Sequence, residues 1–379
     1  MASKIEWTEE TWNPVVGCSI VSPGCTNCYA MKMAARLEAM GSAPHYAGTT
    51  MKTKAGAVWT GTVTGAPDSV LYAPLKRRKP TIYFVNSMGD LFHEAVTDEM
   101  IDRVFAVMAL SRQHTFQILT KRAARMRQYM AGRSAKLARH MTEAFISLAP
   151  AVPTKGRALR TPWPVVQDRA ADLFADPDRV VMSQWPLPNV WLGVSAEDQA
   201  RWAERVPELL WTPAAKRFVS VEPMVGEIDP SVIDVQGGHF TVDPLRWDTD
   251  CEDDDGEDVP DVPPLDWIIV GGESGKSARP MHPDWARILR DACAEAGVAF
   301  FFKQWGEWAP GEANSLRKTL AVDGAHWFDD RWDFVRITAA EGAEMHCDDE
   351  PDVWKVGKRH SGRLLDGVEH NAMPEVTRG

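Results

Sequence analysis

Three cysteines near the N-terminus, Cys18, Cys25 and Cys28, are spaced C-x6-C-x2-C within Asn13-Pro14-Val15-Val16-Gly17-Cys18 and Cys25-Thr26-Asn27-Cys28-Tyr29-Ala30. Thiolates grouped this closely suit a soft metal centre. They fall one short of the four that close a structural zinc site or saturate a cubane cluster. The loop therefore reads as the holder of a [4Fe–4S] cluster with one iron left open to bind a reactant. A zinc site completed by a distant cysteine or histidine is the alternative. It lacks the second close pair of a zinc knuckle, because Cys251, Cys293 and Cys347 are isolated. Disulfide bonding fits less well, since nothing else looks secreted.

The elements that must position this loop are legible as apolar runs rich in β-branched and aromatic residues. They are Thr81–Val85, Thr115–Leu119, Val190–Val194, Arg217–Val221, Trp267–Val270 and Val298–Phe302. Their continuous apolar character predicts parallel strands covered on both faces. Helical periodicity falls between several of them, at Asp98–Leu110, Ala196–Leu210 and Pro283–Ala296, and after the cysteines at Tyr29–Met40 with Gly41 as its stop. This alternation predicts an α/β fold, a parallel, partly open (β/α)6-type barrel over 1–308. A helical insertion or lid over 123–188, an acidic loop over 229–264 and a C-terminal extension over 309–379 complete the organisation.

Each run is followed by polar or small residues: Asn86-Ser87-Met88-Gly89-Asp90, Thr120-Lys121-Arg122, Ser195-Ala196-Glu197-Asp198, Glu222-Pro223, Gly271-Gly272-Glu273-Ser274-Gly275 and Lys303-Gln304-Trp305-Gly306. Sites of parallel α/β folds and barrels lie at the C-terminal ends of their strands, so these segments are expected to share one pocket. Ser195 and Thr97-Asp98 also read as helix N-caps.

Composition narrows the classes. The 379 residues are 44% hydrophobic and 25% charged, with a net charge of −11, which suits a globular protein and argues against non-specific binding to bulk nucleic acid. Part of that charge is the block Asp248 to Asp258, which reads as a solvated loop. An EF-hand fails there, with Cys251 at the first ligand position and Val262 at the last. The basic clusters Lys76-Arg77-Arg78-Lys79 and Lys355 to Arg363 read more readily as solvated faces than as phosphate sites. No run is long enough to span a bilayer, the N-terminus lacks a signal-peptide core, and a reducing cytoplasm is the expected compartment.

The cysteine loop resembles that of radical S-adenosylmethionine enzymes and is most similar to the spore photoproduct lyase-like branch. There an Asn-Pro segment leads to Gly-Cys, the loop ends Cys-Tyr-Ala, and later strands end in an Asp-containing turn and in Thr-Lys. The whole chain more closely resembles a phage-associated family of three-cysteine-motif proteins, through Asn86-Ser87-Met88-Gly89-Asp90-Leu91-Phe92, Ser220-Val221-Glu222-Pro223, Val270-Gly271-Gly272-Glu273-Ser274-Gly275 and Phe302-Lys303-Gln304-Trp305-Gly306. The usual radical-enzyme loop is C-x3-C-x2-C, so three extra residues stand between the first two cysteines here.

The resemblance implies a [4Fe–4S] cluster on Cys18, Cys25 and Cys28, S-adenosylmethionine on the open iron, and a 5′-deoxyadenosyl radical. It implies Asn86, Ser87 and Asp90 toward the cofactor amine, and Lys121 or Arg122 toward its carboxylate. Glu222 or Glu273 would face the ribose, and Gly271 and Gly272 the adenine, unless those glycines only make a tight turn. Thr120 and Ser195 complete the set at the strand ends. The implied substrate is a nucleic acid base or nucleotide, and the implied partner a flavodoxin- or ferredoxin-type reductant. A radical enzyme acting on a protein or metabolite, and a non-catalytic iron–sulfur or zinc protein that binds nucleic acid or a partner, are the other functions the residues allow.

Overall fold

The computed structural model describes residues 5–54, 56–132, 185–231, 233–235, 240–246, 262–311, 321–345 and 350–376. Most of the helical insertion and the acidic block lie outside the described residues.

Seven strands form one sheet: β1 (Glu10–Trp12), β2 (Ile82–Val85), β3 (Thr115–Thr120), β4 (Val190–Ser195), β5 (Lys216–Val221), β6 (Trp267–Gly271) and β7 (Ala299–Gln304). They pair in chain order, β1 to β7, every pairing parallel. The expected α/β class is present as a half-barrel. β1 and β7 stand at the two ends of the strand order, so this is a curled sheet and not a closed barrel. The six expected strands are all there. β1 is an addition, missed because Glu10-Thr11-Trp12 is too short and polar to register as an apolar run.

Helices α1 (Tyr29–Ala39), α2 (Asp98–Leu110), α3 (Ala123–Gly132), α4 (Gln199–Leu210) and α5 (Pro283–Ala296) lie in the connections. α2 starts where Thr97 Oγ1 accepts from the Met100 amide. α4 starts later than expected: its N-cap is Asp198, which accepts from the Arg201 amide. Ser195 is therefore the last residue of β4 and not a cap. α5 ends at Gly297 in the left-handed conformation that glycine adopts at least cost.

Alternation along the strands divides the core in two. Val85, Ile118, Leu192, Val194, Val219, Val221, Ile268 and Val270 face the helices in the large cluster. Phe84, Trp191, Phe218, Trp267, Ile269 and Phe301 point to the concave side, where Trp7 joins them. Trp7 meets Phe84 edge-on at 4.7 Å and Trp267 at 6.0 Å, a favoured aromatic geometry. This plug fills the lower half-barrel beneath the cavity at the strands' C-terminal ends.

The C-terminal extension is a four-stranded antiparallel sheet of β8 (Trp308–Ala309), β9 (Val322–Phe328), β10 (Arg331–Ile337) and β11 (Val353–Lys355), in the order β8-β11-β9-β10. The chain then returns to β7. Phe302 N donates to His370 O at 3.0 Å, Ala372 N to Phe300 O at 3.2 Å, and Trp267 Nε1 to Ala372 O at 2.9 Å. The tail thus covers a strand edge that would otherwise expose its backbone groups. No helix among the described residues is long and apolar enough to cross a membrane.

Candidate functional site

A cavity of about 280 Å³ opens at the C-terminal ends of the strands. Its floor includes Trp7, Phe84 and Leu119, its wall the strand ends, and its roof the cysteine loop. The loop is pinned to the sheet by main-chain geometry. Gly17 has φ +93° and donates to Met88 O at 3.1 Å, and a Cβ there would stand 2.1 Å from Thr62 O. Only glycine passes at this point.

Charged side chains complete the attachment. Arg122, after β3, donates to Asp90 Oδ2 at 3.1 Å, to Glu94 at 3.3 Å, to Ser19 Oγ at 2.7 Å and to Cys18 Sγ at 3.5 Å. Arg279 donates to both oxygens of Glu273 at 2.8–3.0 Å and to Pro23 O at 3.0 Å. Glu197, fully buried, accepts from Gly24 N at 2.9 Å, Lys121 Nζ at 3.2 Å and Arg205 Nη1 at 3.1 Å. Burial alone would raise its carboxyl, but Lys121, Ser22, Gly24 and Arg205 together hold it down at about 2. A Cβ on Gly24 would meet that carboxylate at 2.9 Å, which accounts for glycine between Pro23 and Cys25.

The three thiols line the cavity but do not share a ligand geometry. Cys18 Sγ lies 3.4 Å from its neighbour's carbonyl, Ser19 O, and Cys25 Sγ lies 3.9 Å from Ser22 Oγ. Cys28 caps α1, close to the amides of Ala30 and Met31. Burial pushes the Cys18 thiol up to about 12, with Asp90 adding to the rise, and burial raises Cys28 as well. Cys18 and Cys28 thus hold their protons at neutral pH. Among the described residues, no group of three or more His, Cys, Asp or Glu is disposed to hold a metal ion. The [4Fe–4S] cluster on Cys18, Cys25 and Cys28 is overturned on this ground, and the zinc alternative with it. S-adenosylmethionine on an open iron, radical generation and the enzyme class built on it have no centre to start from.

The remaining expected site residues are placed as follows. Asn86, Ser87, Asp90, Thr120, Lys121, Ser195, Glu222, Gly272 and Glu273 all line the cavity, whereas Gly271 does not. Several are spent on the protein. Asp90 accepts from Thr120 Oγ1 at 2.6 Å, Phe92 N at 3.0 Å, Lys121 N at 3.1 Å and Arg122, which leaves it no capacity for a ligand amine. Glu273 is taken by Arg279, and Lys121 by Glu197. A Cβ on Gly271 would lie 2.6 Å from Glu222 Oε1, and one on Gly272 1.9 Å from Trp305 O. These glycines make room for a carboxylate and a neighbouring backbone.

A family model described as "Protein of unknown function (DUF5131)" matches residues 2–374. The chain belongs to this family. No curated protein and no solved structure matches it. The resemblance to three-cysteine-motif and radical S-adenosylmethionine proteins is corrected by the absence, among the described residues, of a group able to hold a metal ion. In this DUF5131 member the cysteine loop is a roof held by arginines and a buried glutamate.

Sequence reasoning did not single out Lys303, Glu197, Arg279 or His93. Lys303 and Glu197 lay within the polar segments after their strands, and alternation could have placed Lys303 on the concave side two residues after Phe301. Arg279 and His93 carried no signal, because their roles depend on chain segments distant in sequence.

A charged pair remains turned to the cavity with unused capacity. Lys303 Nζ and Glu222 Oε1 form an ion pair at 3.1 Å, their side chains 19% and 13% exposed. Ser220 Oγ donates to the other Glu222 oxygen at 3.3 Å. Asn86, at φ +59°, also lines the cavity. Acid and base thus meet over an apolar floor, an arrangement suited to binding one small polar molecule.

Proposed function

We propose that the cavity binds a small zwitterionic organic molecule, with the ligand's amine on Glu222 and its carboxylate on Lys303. The Glu222–Lys303 pair carries this reading. A ligand with a single charge would satisfy one partner and strand the other in a confined, largely apolar space, which is costly. A zwitterion gives each partner a new counter-charge at once. Trp7, Phe84, Leu119 and Trp59 supply apolar walls for the rest of the molecule. A nucleotide would bring phosphates against Glu222, so nucleotides serve as the contrasting ligand. A reductase partner was called for by the cluster alone and has no part in this reading. The described cysteines Cys18, Cys25, Cys28 and Cys293 are free, which suits a reducing compartment such as the cytoplasm.

Calorimetric titration with amino acids bearing apolar side chains, with the matching amines and carboxylic acids, and with mononucleotides tests this. The zwitterions are expected to bind best. Glu222→Gln and Lys303→Met should each weaken them about tenfold to a hundredfold, from hydrogen bonds to charged groups worth roughly 1.5–3 kcal/mol. Equal binding of singly charged analogues, or unchanged binding by the Glu222→Gln/Lys303→Met double variant, overturns the reading.

A further inference from the structure

Two polar groups on the other side of the cavity can only donate, and neither has an acceptor among the described residues. The first is the Ser19 hydroxyl. His93 Nδ1 accepts from the Ala95 amide at 3.1 Å, so in the neutral ring Nε2 carries the proton and donates to Ser19 Oγ at 2.9 Å. Burial and the adjacent Arg122 hold this imidazole below its ordinary value, so it is neutral at physiological pH. Arg122 Nη2 donates to the same oxygen at 2.7 Å. Both lone pairs of Ser19 Oγ are thereby occupied, and its own proton is left to give away. The second group is the Asn86 amide. Its Oδ1 accepts from Val15 N at 3.3 Å, which fixes which end is nitrogen, and Nδ2 has no partner although the residue is 2% exposed.

Ser19 and Asn86 both line the cavity. They stand over the ends of β2 and β3, whereas Glu222 and Lys303 stand over β5 and β7. Arg122 behind Ser19 is paired with both Asp90 and Glu94, so neutral donors, and not a net positive charge, mark this wall. Asn86 Nδ2 is a buried donor that stays unmatched until an acceptor reaches it, and with the half-buried Ser19 hydroxyl on the same wall it favours a group with several acceptor oxygens.

We propose that Ser19 and Asn86 form a second anchor, which takes an oxyanion, carboxylate or phosphoryl, at the far end of the cavity's ligand. The inference rests on the zwitterion reading for the near end and makes the ligand an amino acid-like molecule with a distal oxyanion. His93 and Arg122 act through Ser19 as positioning residues.

The test is calorimetric titration of the full chain with norvaline, glutamate, O-phosphoserine and inorganic phosphate. Variants are Ser19→Ala, Ser19→Thr, which keeps the hydroxyl, Asn86→Asp, which keeps the acceptor for Val15 and removes the donor, and Glu222→Gln. Glutamate or O-phosphoserine should bind at least tenfold more tightly than norvaline, and the tighter of the two identifies the oxyanion. Ser19→Ala and Asn86→Asp should abolish that advantage, and Ser19→Thr should retain it. Should Ser19→Ala fail to fold, the Asn86→Asp and Ser19→Thr pair decides the matter. Norvaline binding as tightly as the others overturns the anchor and leaves the zwitterion reading standing. Phosphate binding that is lost in Ser19→Ala and Asn86→Asp but kept in Glu222→Gln, with no affinity for any amino acid, supports the anchor and removes the zwitterion reading. No binding of any of the four overturns both.

Discussion

Glu197 connects the cysteine loop, β3 and α4 through Gly24, Lys121 and Arg205. Its removal should be felt as a loss of stability first. Glu197→Gln leaves two cations facing a neutral amide in a buried setting, a change worth about 3–5 kcal/mol, which urea unfolding at neutral pH would register. The same residue sets an acid limit. Its carboxyl is held at about 2 in the fold against an ordinary value of 4.5, so the native state binds fewer protons than the unfolded chain between those values. The stabilisation is complete above the ordinary value and is lost as pH falls through about 2. Unfolding free energy measured across that window should fall less steeply in Glu197→Gln than in the parent protein; identical slopes would remove Glu197 from the acid response. The four cavity residues with spare capacity, Glu222, Lys303, Asn86 and Ser19, belong to a different class. Their replacement should change ligand binding more than stability.

Between β4 and β5 the packing of the concave plug turns on a single small residue. Gly193 lies opposite Phe218 in the strand register, and a Cβ at Gly193 would stand 2.6 Å from three atoms of the Phe218 ring. Gly193→Ala should therefore cost about 1–3 kcal/mol by overpacking, seen as a lowered thermal midpoint. Adding Phe218→Leu should recover part of the loss, because the shorter side chain vacates the ring's position. Absence of any recovery would place the strain elsewhere. This element-scale fit also bears on the site, since the plug beneath it fixes the floor against which a ligand would rest. Trp191, Trp267 and Phe301 are buried beside Phe218, so displacement of that ring has few directions in which to relax.

A half-barrel has two sheet edges, and this molecule protects the β7 edge with its own C-terminal tail. Removal of residues 363–379 should uncover backbone groups of Phe300 and Phe302, leave Trp267 Nε1 without its acceptor Ala372 O, and expose the plug where Met373 and Val376 pack. The truncated chain is expected to form larger species than the full chain in light scattering at matched concentration, with a lower thermal midpoint. Unchanged mass and midpoint would show that the tail is dispensable for edge protection.

Strand and helix positions were legible because parallel α/β folds write burial on both faces into continuous apolar runs, and because the caps and stops of α1, α2 and α5 are local. The polar segments after each run marked the strand ends, and the same argument directed attention to one cavity. What each residue does there was not legible. Asp90 and Glu273 read as ligand carboxylates, yet Arg122 and Arg279 consume them, and Arg279 lies far along the chain from its Pro23 contact. Cysteine spacing along the chain also left open where the thiols point. The folded loop engages Cys18, Cys25 and Cys28 with separate neighbours. Residue types and local periodicity act over a few positions, so the sequence alone determined six of the seven strands of the main sheet, the helices between them and their order. Charge pairing, orphaned donors and the sharing of the cavity between distant segments are long-range consequences of packing, and only the tertiary structure decided them.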